Sequence, residues 1–197
     1  MRIRRYEPRD LERVYEICRR TGAAGGDATS LVDDEHLFGE IWAAPYVTLE
    51  PEHCFVVTSD DGIAQGYILG VRDAVDFEDR CEELWWPPLR DRYPKDPDGG
   101  TLKDLLIALI HDRPEPRLDL HDRYPSELHI DLLPVAQGKG HGAALMDRLF
   151  TSLREAGSVG VHLGVSVENT RAVAFYRHLG FGEFDCDGIT RTFVMDL

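Results

Sequence analysis

The chain has 197 residues, 43% of them apolar, enough for a folded core in one domain spanning residues 1–197. Its formal charge is −14, with an isoelectric point near 4.9, a balance that repels nucleic acid and anionic membrane surfaces. No apolar run approaches the ~18 residues of a membrane span, and the start MRIRRYEPRD has no apolar signal core, so a cytoplasmic chain is expected.

MRIRRY alternates and predicts a first strand, with Arg2, Arg4 and Arg5 as solvated edge residues. PRDLERVYEICRRTG places Leu11, Val14, Tyr15 and Cys18 at helical spacing. AAGGDATS reads as a loop, and DDEHLFGEIWAAPYV as a second short helix ended by Pro45. HCFVVTS and GIAQGYILGVR are apolar strands joined through DDG, a hairpin signal. Residues 74–125 are less regular; they are rich in Pro and aromatic residues and hold one clear helix, TLKDLLIALIH, so they predict a largely helical insertion covering one side of the sheet. Trp85 and Trp86 in that stretch either pack the insertion or wall a pocket.

The last third is sharper. ELHIDLL alternates as a strand and GAALMDRLFTSLREAG is amphipathic, with Met146, Phe150 and Leu153 on one helical face. VGVHLGVSV is a strand, and NTRAVAFYRHLG is a helix with Asn169 as N-cap and Gly180 as its stop. FGEFDCD and TRTFVMDL complete a mixed α/β fold around a central sheet flanked by helices. The four cysteines, Cys18, Cys54, Cys81 and Cys186, form no CxxC and have no histidine at zinc spacing. They read as free thiols, and no metal site is expected.

QGKGHG, residues 137–142, follows a strand and opens a helix, so its backbone N–H groups and the helix dipole converge on one point, as an anion cradle requires. It is neither GxxxxGK[ST] nor GxGxxG. On Glu127, His129 and Asp131 the strand ELHIDLL carries a polar face, and a buried polar face is costly unless it lines a cleft.

Gln137, Gly140 and Gly142 fit the Q/R-x-x-G-x-G/A signature of the GCN5-related N-acetyltransferases, and SVENTRAVAFYRHLGF resembles that family's second signature. The middle of the chain, including YEICRR, HCFVV and the DDGIAQGYILGVRDAVDFEDRCEELWWPPLRDRYP segment, resembles the acetyltransferase-like C-terminal domain of animal O-GlcNAcases. The resemblance implies a GNAT-type mixed sheet and an acetyltransferase that binds acetyl-CoA between two parallel strands and transfers acetyl directly to an amine. It places the pantetheine arm along Ile130 to Leu133, Leu132 included. The pyrophosphate falls on the N–H groups of Gly138, Lys139, Gly140, His141, Gly142 and Ala143, with Lys139 and His141 solvent-facing or in loose phosphate contact. Asn169 bonds the cofactor arm, and Tyr176 donates a proton to the departing thiolate.

An amine of pKa ~10.4 is mostly protonated at pH 7, and freeing its lone pair costs about 4–5 kcal/mol, so a base is required. Asp131 is the first candidate and Glu127 the second. The resemblance needs no acyl-cysteine intermediate, and no cysteine is placed for one. A non-catalytic acyl-CoA-binding module remains the alternative. The acceptor is unread, and a homodimer stays open.

Overall fold

The computed structural model describes residues 1–112 and 116–197; residues 113–115, within the Pro-rich part of the expected insertion, lie outside the described residues. The strands are β1 (Arg2–Arg5), β2 (Phe55–Thr58), β3 (Ala64–Val71), β4 (Ser126–Leu132), β5 (Gly160–Ser166), β6 (Gly182–Cys186) and β7 (Thr190–Asp196). They form one seven-stranded sheet in the order β1-β2-β3-β4-β5-β7-β6. All neighbours are antiparallel except β4 and β5.

One face of the sheet carries α1 (Leu11–Thr21), α2 (Leu37–Trp42), α3 (Ala44–Leu49) and the expected insertion. The insertion consists of α4 (Ala74–Arg80), a π-helical turn (Cys81–Trp85), α5 (Trp86–Arg92), α6 (Leu102–His111) and α7 (Leu118–His121). Val14, Ile17, Phe38, Phe77 and Ile110 pack there against Val56, Tyr67 and Leu69. The opposite face carries α8 (His141–Glu155) and α9 (Thr170–His178), whose Leu145, Leu149 and Val173 meet Phe55, Val57, Ile68 and Phe193. Both faces of β2 and β3 are therefore buried, which is why they read as continuous apolar runs.

Two local expectations are corrected. Pro45 does not end a helix: it sits in the first turn of α3, where its missing N–H would have no intrahelical partner. Arg4 is not a solvated edge residue. Its guanidinium forks onto Asp10, with N···O distances of 2.6 and 2.7 Å, and Asp10 is buried. Burial alone would raise the Asp10 pKa, but the hydrogen bonds from Arg4 and the Glu7 N–H outweigh it and hold it below the usual range.

Gly66 fixes how closely β4 lies on β3. A Cβ there would stand 2.8 Å from the Asp131 carbonyl oxygen and 3.1 Å from the Leu132 Cα, backbone that no rotamer change can move aside. Gly66→Val is expected to push β4 outward and destabilise the protein by about 1–3 kcal/mol, read as a lowered midpoint in chemical denaturation.

Candidate active site

β4 and β5 are parallel neighbours for only two register pairs, Ser126 with Val161 and Glu127 with His162. Beyond them the strands part, while β5 stays paired with β7 along its length and β4 with β3. The antiparallel ladder turns alternate backbone groups to opposite sides. Since the Leu133 N–H donates to the Gln65 carbonyl at 2.9 Å, the N–H groups of Ile130 and Leu132 face away from β3, into the gap. The Leu132 carbonyl accepts from Gln137 Nε2 at 2.6 Å, which ties the end of β4 to the loop.

The gap widens into a cavity of about 410 Å³ whose wall includes Leu128, Ile130 and Asp131 of β4, Val165 and Ser166 of β5, and Asn169 and Tyr176 of α9. Cys18 of α1 and the turn 23–26 close its other side. In that turn Ala24 and Gly25 both have positive φ, and Gly25 lies so near Asn169 that a Cβ would stand 3.0 Å from its amide nitrogen. Asn169 caps α9 with its Oδ1, which accepts from the Ala172 N–H at 3.1 Å.

At the mouth of the gap α8 begins. Gly138 and Gly140 have φ of +69° and +81°, the left-handed region that costs a side-chain-bearing residue about 1–2 kcal/mol. Gly140 is the N-cap and offers no side-chain acceptor, so the first N–H groups of α8, those of His141, Gly142 and Ala143, have no cap from it. At Gly142 the constraint is different: a Cβ would press on the Phe175 ring at 3.0 Å. Lys139 folds its ammonium back to the Val135 carbonyl at 2.9 Å. Leu133 stands apart from the other residues read from the sequence, because its N–H bonds Gln65, its carbonyl accepts from Ala136 and its side chain is buried.

The polar face of β4 lies toward α1, α2 and α3. Asp131 Oδ2 accepts from the Tyr67 hydroxyl at 2.6 Å and stands 3.0 Å from His129 Nε2. The His129 ring stacks on Tyr67 at 5.7 Å. Burial opposes an imidazolium here, but the Asp131 charge and hydrogen bond outweigh it and push the His129 pKa up to about 10. Cys18 joins this cluster: its sulfur and one ligand atom each of His129 and Asp131 lie within 4.8 Å of one another. Cys18 therefore stands in the cleft wall, where burial raises its pKa and keeps it a thiol.

Glu127 sits at the apex of the gap and shares the cavity wall with Tyr46. Burial raises its pKa, against the opposing pull of Tyr46, His129 and His121. Tyr176 is buried and lines the cavity, and its hydroxyl has no hydrogen-bond partner among the described residues. Burial, then the Asp131 charge, holds that hydroxyl well above its ordinary pKa, so it stays protonated.

Cys18, Tyr46, Tyr67 and the 23–26 turn were not found by sequence reasoning. Each comes from an element distant in sequence from the glycine loop, and none lies in a local motif. Trp85 is also resolved: its Nε1 donates to the Glu40 carbonyl at 2.9 Å, whereas Trp86 lines a second cavity beside Glu127.

A strand gap, a left-handed glycine loop and a helix N-terminus thus occupy one end of the sheet. The model of the Acetyltransferase (GNAT) family matches residues 11–181. Protein O-GlcNAcase of Rattus norvegicus is 29% identical over 90% of this chain, which spans 20% of that protein. Mycothiol acetyltransferase of Beutenbergia cavernae is 31% identical over 87% of the chain, which spans 56% of that protein. The crystal structure of SsHAT superposes with a TM-score of 0.91 at 38% identity, covering 99% of this chain and 97% of that one. The chain belongs to the GNAT acetyltransferase family.

Proposed function

We propose that the protein transfers an acetyl group from acetyl-CoA directly to an amine. The observation that carries this is the parting of β4 from β5 in front of the two left-handed glycines at the start of α8. The gap leaves backbone N–H groups of Ile130 and Leu132 for an extended pantetheine arm, and the loop directs N–H groups from Gly138 to Ala143 at a pyrophosphate. Lys139 and His141 flank that cradle, and the Asn169 amide nitrogen faces the arm. Leu133 takes no part in this assignment, because its own backbone groups are bonded within the protein.

Polarity along β4 separates the two carboxylates. If phosphates lie at the loop, the thioester lies toward the apex of the gap, about 17 Å back along the strand at ~3.3 Å per residue. That favours Glu127 over Asp131 as the base. A half-buried carboxyl with a raised pKa is a stronger proton acceptor than an exposed one. Asp131 instead holds His129, and Tyr176 supplies the proton for the departing thiolate. With Cys18 kept as a thiol, transfer proceeds without an acyl-enzyme.

Calorimetric titration with acetyl-CoA tests the reading. The wild type is expected to bind, and Gly140→Glu, which strains the left-handed turn and sets a carboxylate against phosphate, to bind at least tenfold more weakly. Absence of wild-type binding would sink the proposal. Binding without thiol release in the presence of amines would leave a non-catalytic acyl-CoA module.

A further inference from the structure

Acetyl transfer to an ammonium group leaves a proton over. The ammonium and acetyl-CoA become an amide, a free thiol and one proton, and that proton has to reach solvent before the base serves again. Resting on the transfer reading, we infer that His121, at the end of α7, carries this proton from Glu127 to solvent. It acts through Glu127 and touches neither substrate.

The histidines around Glu127 differ in what they can accept. On β4, His129 stands 3.0 Å from Asp131 and has its pKa pushed up to about 10, so it is already charged at neutral pH and takes no further proton. Across the gap, His162 is the register partner of Glu127, the last pair before β5 departs. Opposed residues of neighbouring strands share a face of the sheet, so the His162 side chain lies beside Glu127. Its Nδ1 donates to the Tyr124 carbonyl at 2.7 Å, and the residue is buried, which keeps it from water. The His121 ring packs on His162, with centroids 5.1 Å apart and planes tilted by 32°. This packing brings His121 to the corner of the sheet that Glu127 occupies.

His121 has what the other two lack. The residue is half-buried, so its ring is part open to solvent, while its Nδ1 is enclosed and has no hydrogen-bond partner among the described residues. An unpartnered enclosed nitrogen is costly, and in the tautomer with hydrogen on Nε2 it is a vacant acceptor. Charged and titratable groups face the ring from each neighbouring element: Glu127 of β4, His162 of β5, Asp73 before α4 and Arg117 before α7. Burial leads, and with His162 and Arg117 it outweighs the two carboxylates, so the His121 pKa lies below its ordinary 6.5 and the ring is neutral at pH 7. Burial moves Glu127 the other way, upward. Carboxyl and imidazole are thereby brought closer in proton affinity than they are in water, which favours passage of a proton from one to the other and on to solvent.

The test uses the full chain with saturating acetyl-CoA and n-butylamine in dilute buffer, and follows thiol release from the first turnover onward. In His121→Gln the first equivalent of thiol is expected at the wild-type rate and later turnovers about tenfold more slowly, because only the renewal of Glu127 is hindered. Added imidazole should restore the steady rate to within about twofold of wild type, with acetyl-CoA affinity by calorimetry unchanged. His121→Asn, read the same way, guards against a loss of fold peculiar to the longer amide. Equal slowing of first and later turnovers, a steady rate that imidazole does not restore, or a wild-type steady rate in dilute buffer would overturn the inference and leave the transfer reading standing. A wild type that binds no acetyl-CoA, or binds it and releases no thiol, would overturn the transfer reading and the relay with it.

Discussion

Glu127→Gln is expected to lower kcat at pH 7 by a hundredfold or more while leaving acetyl-CoA affinity within about twofold. The amide has the same shape, so the change removes a proton acceptor without opening a cavity. The acceptor amine must lose a proton to attack, and at pH 7 that loss costs about 4–5 kcal/mol in water. On the proposed reading, the half-buried Glu127 carboxylate at the apex of the gap takes that proton. Because burial raises the Glu127 pKa, the wild-type kcat/KM should fall on the acidic side through a pKa above the ordinary carboxylate value. In the Gln variant that limb should disappear. Steady-state rates across pH, paired with calorimetry on the same samples, separate the chemical step from binding. A variant with wild-type kcat would remove Glu127 from the mechanism and return the role to another group on β4.

Much of the site's scaffold was legible because it is local. The glycine loop, the strand before it and the helix after it occupy adjacent positions, and the period-two pattern of ELHIDLL put Glu127, His129 and Asp131 on one face. The order of the strands was not legible. Nothing in FGEFDCD or TRTFVMDL tells that β7 inserts between β5 and β6, since the hairpin they form is the same whichever strand lies inside. The role of each carboxylate was also out of reach. Sequence ranked Asp131 ahead of Glu127, and the proposed reversal of that order rests on where β5 departs from β4, a non-local pairing. Cys18 and Tyr67 reach His129 and Asp131 from α1 and β3, so the partners that decide the state of this face lie outside any motif. Pro45 illustrates a smaller limit: a proline marks a helix boundary, and the same residue serves as an end or a beginning according to what packs next.

Asp131→Asn should reveal what the second carboxylate does. His129 is partly buried, at 29% side-chain exposure, with its charge held by Asp131, itself 18% exposed. The folded His129 pKa, about 10, lies above its ordinary 6.5. The stability linked to that shift is therefore present in full below pH 6.5 and is lost as pH rises through about 10. Replacing Asp131 by the amide keeps an acceptor for the Tyr67 hydroxyl but removes the charge that opposes burial. With that charge gone, burial is opposed only by the contribution of Cys18, and the His129 pKa falls from about 10. The expected loss is about 1–2 kcal/mol near neutrality, between the scale of an exposed ion pair and that of a fully buried one, since the pair is only partly buried. It should shrink toward pH 10 and above, where the wild type has also lost the imidazolium. Denaturant midpoints at pH 7 and pH 10 measure the difference, and a proton NMR titration of His129 reads its cause directly. A positioning role also predicts a smaller fall in kcat than for Glu127→Gln, with the acidic limb of kcat/KM retained. If His129 titrates unchanged in the variant, the ion pair is not what charges it, and the polar face of β4 needs another organiser.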